Sequence, residues 1–197
     1  MQSKVPIISI AGKSNSGKTT LMVKLVRELK SRHFKVATIK HSHHSFEIDK
    51  EGKDSWLHTR AGADAVVVAS QKMTGIIRMT SEEIPLPEIV NTYLHDMDII
   101  LAEGYKTQAI PKIEVLRSEI GAELVCKDDL NLMAVVGDKK PEIDIPFFHI
   151  NDNASSIIDF LLSRLKKKFC RKLCLKICTA KSVMTRMNTR KCPKFHV

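Results

Sequence analysis

In the stretch Gly12-Lys13-Ser14-Asn15-Ser16-Gly17-Lys18-Thr19, two glycines bracket four residues, and a lysine and a hydroxyl follow directly. That spacing suits a polyphosphate. Glycine tolerates the backbone twists that turn successive N–H groups inward, so the loop can wrap an anion. A helix starting after the second glycine aims the positive end of its dipole at the same point. Lys18 would then reach the β- and γ-phosphates, and the Thr19 hydroxyl would ligate Mg²⁺. Gly12, Lys13, Ser14, Asn15, Ser16, Gly17, Lys18 and Thr19, with Thr20 beside them, are the expected nucleotide contacts. The other reading is an ordinary glycine-bearing turn. A strand before the loop and a helix after it favour the phosphate loop, or P-loop.

A second chemical element is Asp98-Ile99-Ile100-Leu101-Ala102-Glu103-Gly104, four apolar residues ending in an acid. A carboxylate at such a strand end meets the Mg²⁺ or its water shell, and the glycine lets the backbone approach the γ-phosphate. Glu103 is therefore an expected metal residue, and Asp98 reads as a turn residue. The third element is Lys40-His41-Ser42-His43-His44. Ligands bind at the C-terminal edge of parallel strands, so Lys40 and His41 are expected to face the phosphates or the Mg²⁺ shell. A structural zinc site would require a fuller ligand set than these histidines offer. Asp49 is a further expected acid around the metal, whereas Asp54 reads equally as a helix N-cap. No catalytic residue is firmly assigned; Lys40, His41 and Glu103 are the candidates.

These residues need a scaffold. Val5 to Ala11 reads as a buried strand, and Leu21, Met22, Leu25, Val26 and Leu29 fall at helical spacing before a second strand, Lys35 to Ile39. Strand, loop, helix and strand make a βαβ unit and imply a parallel sheet. Further strands are expected at Ala65–Ala69, with Gly75–Met79 pairing beside it, and at Asp98–Ala102, Ile113–Leu116 and Leu132–Val136. Helices are expected from Asp54 to before Gly62, over Pro87–His95 and over Ala154–Leu165. The class is α/β, a three-layer P-loop NTPase fold with a mostly parallel sheet and helices on both faces.

The 197 residues carry a net charge of +10, but 12 of the 32 Lys and Arg lie after residue 163, where there is no Asp or Glu. Residues 1–163 then hold 20 basic and 22 acidic groups and are nearly neutral. The division suggests a nucleotide-binding domain over 1–163 and a basic tail over 164–197. The tail contains Cys170, Cys174, Cys178 and Cys192, leaving Cys126 in the body. A solvated, disordered extension is the first reading of the tail; a weak polyanion-binding patch and a metal or redox site are the others. No apolar run reaches the roughly 18 residues of a membrane span, and no leader pattern opens the chain, so a cytoplasmic location is expected.

The ordered set Gly12–Thr19, Lys40-His41-x-x-His44, Gly52-Lys53-Asp54-Ser55, Ala61-Gly62-Ala63, Glu103-Gly104-Tyr105-Lys106 and Pro111-Lys112-Ile113 resembles the molybdopterin-guanine dinucleotide biosynthesis adapter proteins. The resemblance covers about residues 5–163. It implies a homodimeric GTP-binding protein with weak GTPase activity, assisting the guanylyltransferase that attaches GMP to molybdopterin. No Asn-Lys-x-Asp segment is present to read guanine; Asp138, after the strand Leu132–Gly137, is the candidate acceptor for the guanine N1–H and N2–H₂. Two other classes remain open. A small nucleotide or metabolite kinase also uses a P-loop, but Arg60, Arg78 and Arg117 form no compact lid. A nucleic-acid-binding role for the tail is opposed by the neutral body.

Overall fold

The computed structural model describes residues 5–42, 45–121 and 123–165. His43 and His44, and the basic tail with its four cysteines, lie outside the described residues. The described residues separate into two compact units, one within residues 42–93 and the other within residues 5–41 and 94–165.

The larger unit is built on six parallel strands: β1 (Ile7–Ala11), β2 (Val36–Lys40), and, numbering onward past the two strands of the smaller unit, β5 (Ile99–Glu103), β6 (Lys112–Leu116), β7 (Leu132–Gly137) and β8 (Phe147–His149). Their order across the sheet is β2-β5-β1-β6-β7-β8. All five residues of β1 are buried, as expected of a central strand covered on both faces. Ile8, Ile10, Ile99, Leu101, Ile113, Val115, Ala134 and Val136 occupy alternate strand positions and so share one face. On it lie α1 (Lys18–Ser31), burying Leu21, Met22, Leu25 and Leu29, and α4 (Ala154–Leu165), burying Ile157, Ile158, Leu161, Leu162 and Leu165. The two helices are tied by Arg32 just past α1, whose guanidinium donates to Glu28, Asp159 and the Ser155 hydroxyl.

The opposite sheet face is less apolar. Ser9, Lys112 and Glu114 are buried there. Lys112 donates to the carbonyls of Lys106 and Gln108, and Glu114 accepts the backbone N–H groups of Val125 and Cys126. Strand β8 has three residues between polar turns, too few to show alternation, and had no signal in the sequence.

The smaller unit contains α2 (Asp54–Arg60), the strands β3 (Ala65–Ala69) and β4 (Thr74–Arg78), and α3 (Leu86–Tyr93). The expected pairing of β3 with its neighbour is present: they form an antiparallel hairpin that is a sheet by itself, apart from the six strands. Val66 is 8% exposed, whereas Val67 is 60% and Met73 73% exposed. Among the described residues, no helix is long and apolar enough to cross a membrane.

Candidate functional site

Because all six strands run the same way, their C-terminal ends share one edge of the sheet. The loop after β1 opens with Gly12 at φ 136°. A Cβ there would stand 2.6 Å from the Val115 carbonyl oxygen and 2.9 Å from the Ser16 hydroxyl, so only glycine fits. Asn15 and Gly17 also take left-handed conformations, with φ of 60° and 93°. Gly17 then caps α1, with Lys18 as its first residue. Ser16 is 2% exposed and its hydroxyl has no hydrogen-bond partner among the described residues. Lys13 is half-buried, and Ser14, Asn15, Thr19 and Thr20 are exposed along the loop and first helical turn.

The next strand over, β5, ends in Glu103 level with Ile10 of β1 and Lys40 of β2. The Thr19 hydroxyl donates to Glu103 Oε2 at 3.1 Å. A hydroxyl and a carboxylate converging in this way are the hard oxygen donors that Mg²⁺ takes, so the pair fits the expected metal. Lys18 Nζ folds onto the Lys13 carbonyl at 2.7 Å. Its pKa lies below the ordinary lysine value, first through burial and then through the charges of Lys106 and Lys40, with Glu103 opposing the shift. Three ammonium groups against one carboxylate leave this point short of negative charge, and a phosphate would supply it.

His41 follows β2, donates its N–H to the Glu103 carbonyl at 3.0 Å and stands with its ring 4.7 Å from that of Tyr105. Gly104 and Tyr105 turn the chain away at φ of 96° and 52°. The Ser9 hydroxyl, donating to the Gly104 carbonyl at 2.5 Å, secures this turn from β1. Farther along the edge, Asp138 directly follows β7. Its carboxylate accepts the N–H and hydroxyl of Ser118 at 3.0 and 2.8 Å, and these bonds, with nearby Arg117, keep it below the usual carboxylate range.

The structure thus brings Gly12 to Thr19, Lys40, His41 and Glu103 to one place, and puts Asp138 at the same edge two strands from β1. Asp49 falls in the smaller unit. There its Oδ1 accepts the Lys50 N–H, and its Oδ2 is buried without a hydrogen-bond partner. Asp54 is the first residue of α2 and Lys53 takes the cap position, so the N-cap reading of Asp54 is one residue out. Asp98, expected in a turn, accepts the Lys35 N–H at 2.7 Å just before β5. Among the described residues, no three His, Cys, Asp or Glu side chains group as a metal site. Sequence reading gave no role to Ser9, Lys106 or Lys112. Lys106 and Lys112 appeared only as members of the segments Glu103-Gly104-Tyr105-Lys106 and Pro111-Lys112-Ile113, and Lys112-Ile113-Glu114 alternates polar and apolar residues inside an apolar strand.

A parallel α/β sheet whose first strand runs through this loop into a helix, with an acid on the neighbouring strand, defines a P-loop protein. The family model for molybdopterin guanine dinucleotide synthesis protein B matches residues 7–138. A molybdopterin-guanine dinucleotide biosynthesis adapter protein of Haemophilus influenzae is 38% identical over 162 residues, covering 82% of this chain and 90% of that protein. One from Escherichia coli is 34% identical over 173 residues, covering 85% and 97%. A crystal structure of molybdopterin-guanine biosynthesis protein B superimposes with a TM-score of 0.64 at 31% identity, covering 81% of this chain and 99% of that one. This chain belongs to the molybdopterin guanine dinucleotide synthesis protein B family.

Proposed function

We propose that this chain is a GTP-binding adapter in molybdopterin guanine dinucleotide biosynthesis. In this role it holds GTP and Mg²⁺ in residues 1–163 and serves a guanylyltransferase in the cytoplasm, with the tail from 164 taking no part in nucleotide binding. The observation that carries the reading is Lys18 among Lys40, Lys106 and Glu103, beside the Thr19–Glu103 pair. The backbone of Gly12–Lys18 and the start of α1 receive the β-phosphate, and Lys18 turns from the Lys13 carbonyl to the phosphates. Thr19 and Glu103 would hold Mg²⁺, which would supply positive charge to offset that of the phosphates. Asp138 reads guanine with the lone pairs that Ser118 leaves open.

Hydrolysis in this site is slow, about 10⁻⁴ to 10⁻² s⁻¹, because among the described residues no glutamine or arginine finger stands out to orient water or spread charge. The active form is a homodimer. Val67, Val68 and Ile76 of the β3–β4 hairpin are half-exposed or more, and a two-stranded sheet gains stability by pairing with a second copy of itself. A panel of GTP, ATP and CTP with and without Mg²⁺, followed by turnover of whichever binds, tests the proposal. Binding of GTP with slow turnover is expected. Rapid phosphoryl transfer to a small acceptor would move the protein to the kinases.

A further inference from the structure

Lys112 has no exposed surface. An ammonium in that position is costly unless each proton finds an acceptor. Here three protons meet three oxygens: the carbonyls of Lys106 and Gln108, each at 2.9 Å, and the carboxylate of Asp129. Asp129 is itself fixed by the Asn131 backbone and side-chain N–H groups at 2.8 and 2.9 Å. Its pKa falls to about 2, first because of the Lys112 bond and then those from Asn131, so the carboxylate stays ionised.

Two of the three acceptors lie in one short segment, directly after Glu103. That segment leaves the sheet through the left-handed Gly104 and Tyr105, held at its start by Ser9. It then presents the exposed Lys106 side chain to solvent, close enough for its charge to act on Lys18. If residue 112 served the sheet alone, an apolar side chain would fill the position with no ion to desolvate. The lysine adds a tether between β6 and the chain that carries Lys106.

We propose that Lys112 is a positioning residue of the nucleotide site: by holding the carbonyls of Lys106 and Gln108 it keeps the Lys106 ammonium beside Lys18, as a further ligand of the polyphosphate. The proposal rests on reading the Gly12–Thr19 loop as a triphosphate site. Lys106 touches the phosphates, and Lys112 acts through it.

A double-mutant cycle on the full chain, read as GTP affinity in Mg²⁺, tests this. Lys106→Ala should weaken binding about tenfold, the loss of one charge-assisted hydrogen bond. Lys112→Met should weaken it by a similar factor, and the double variant no further than the weaker single, since an absent side chain cannot be positioned. Losses that multiply, or a Lys112→Met protein of lowered stability but unchanged affinity, would overturn the proposal. If Lys112→Met does not fold, Asp129→Asn loosens the same tether and enters the same cycle. Lys18→Ala is measured alongside. If it binds GTP like the parent, the triphosphate reading fails and the inference with it; if it does not bind and the cycle is multiplicative, only the positioning role is lost.

Discussion

The two units use apolar residues in opposite ways. In the sheet-bearing unit, Ile8, Ile10, Leu25, Leu29, Ile99, Leu101, Ile113 and Ile158 have no appreciable exposure, and polar side chains such as Ser9, Lys112 and Glu114 are buried with hydrogen-bond partners. In the hairpin unit, Phe46, Ile48, Leu57, Val67, Val68, Met73, Ile76 and Met79 all stand half-exposed or more. The first unit has closed its own core and can hold a charged site in fixed geometry. The second leaves apolar surface open, the kind of surface at which proteins associate. On the function proposed above, binding chemistry belongs to the first unit and assembly to the second.

That division is strongest if damage to each unit is felt separately. The largest effect is expected from Lys18→Ala, which removes two charge-assisted contacts to phosphate, each worth about 1.5–3 kcal/mol. GTP affinity should drop more than about 100-fold while thermal unfolding barely moves, since the empty protein loses only the bond to the Lys13 carbonyl. Calorimetric titration beside a melting curve checks both halves. Unaltered affinity would break the assignment of the site.

In the hairpin unit, Val67→Asp with Ile76→Asp places two carboxylates on directly paired strand positions. An unpaired charge in an interface costs about 2 kcal/mol or more, so dimer affinity should fall at least about 30-fold. GTP binding per protomer should stay within about twofold of the parent. Sedimentation equilibrium and nucleotide titration on one sample give both values. A dimer that persists would place the interface elsewhere.

Glu103→Gln should act more narrowly. Binding in Mg²⁺ should weaken about tenfold, the lower range for loss of a group around a metal, with binding in EDTA unchanged. Equal losses with and without metal would mean that the end of β5 had been disturbed.

The smallest effect concerns Cys126. Burial first, then the neighbouring Glu114 charge, raises its thiol to about 11. Only on the order of one thiol in ten thousand is ionised at pH 7, and the thiolate is the reactive form. Iodoacetamide followed by peptide mass mapping should leave Cys126 unlabelled until denaturant is added. Prompt labelling would show that the closed unit opens readily.

Much of this protein was determined by local sequence. The loop Gly12–Thr19 requires its glycines where φ is positive, and α1 follows from the spacing of Leu21, Leu25 and Leu29. The acid ending β5 follows from an apolar run stopped by Glu103. α4 was legible to its end residues, Ala154 and Leu165. These are short-range consequences of sterics and periodicity, and they can be read without knowing what lies across the sheet. Tertiary structure alone decided the rest. It set β3 and β4 apart from the six strands, although their pairing was legible, because strand pattern does not say which sheet a strand joins. It placed Lys40 level with Glu103 through parallel register between residues 63 positions apart. It also turned Lys112, a polar residue with no role assigned from sequence, into a tether for the segment bearing Lys106. The carbonyls of Lys106 and Gln108 are near in sequence, but only folding turns the chain back so that both stand within 3 Å of a buried ammonium.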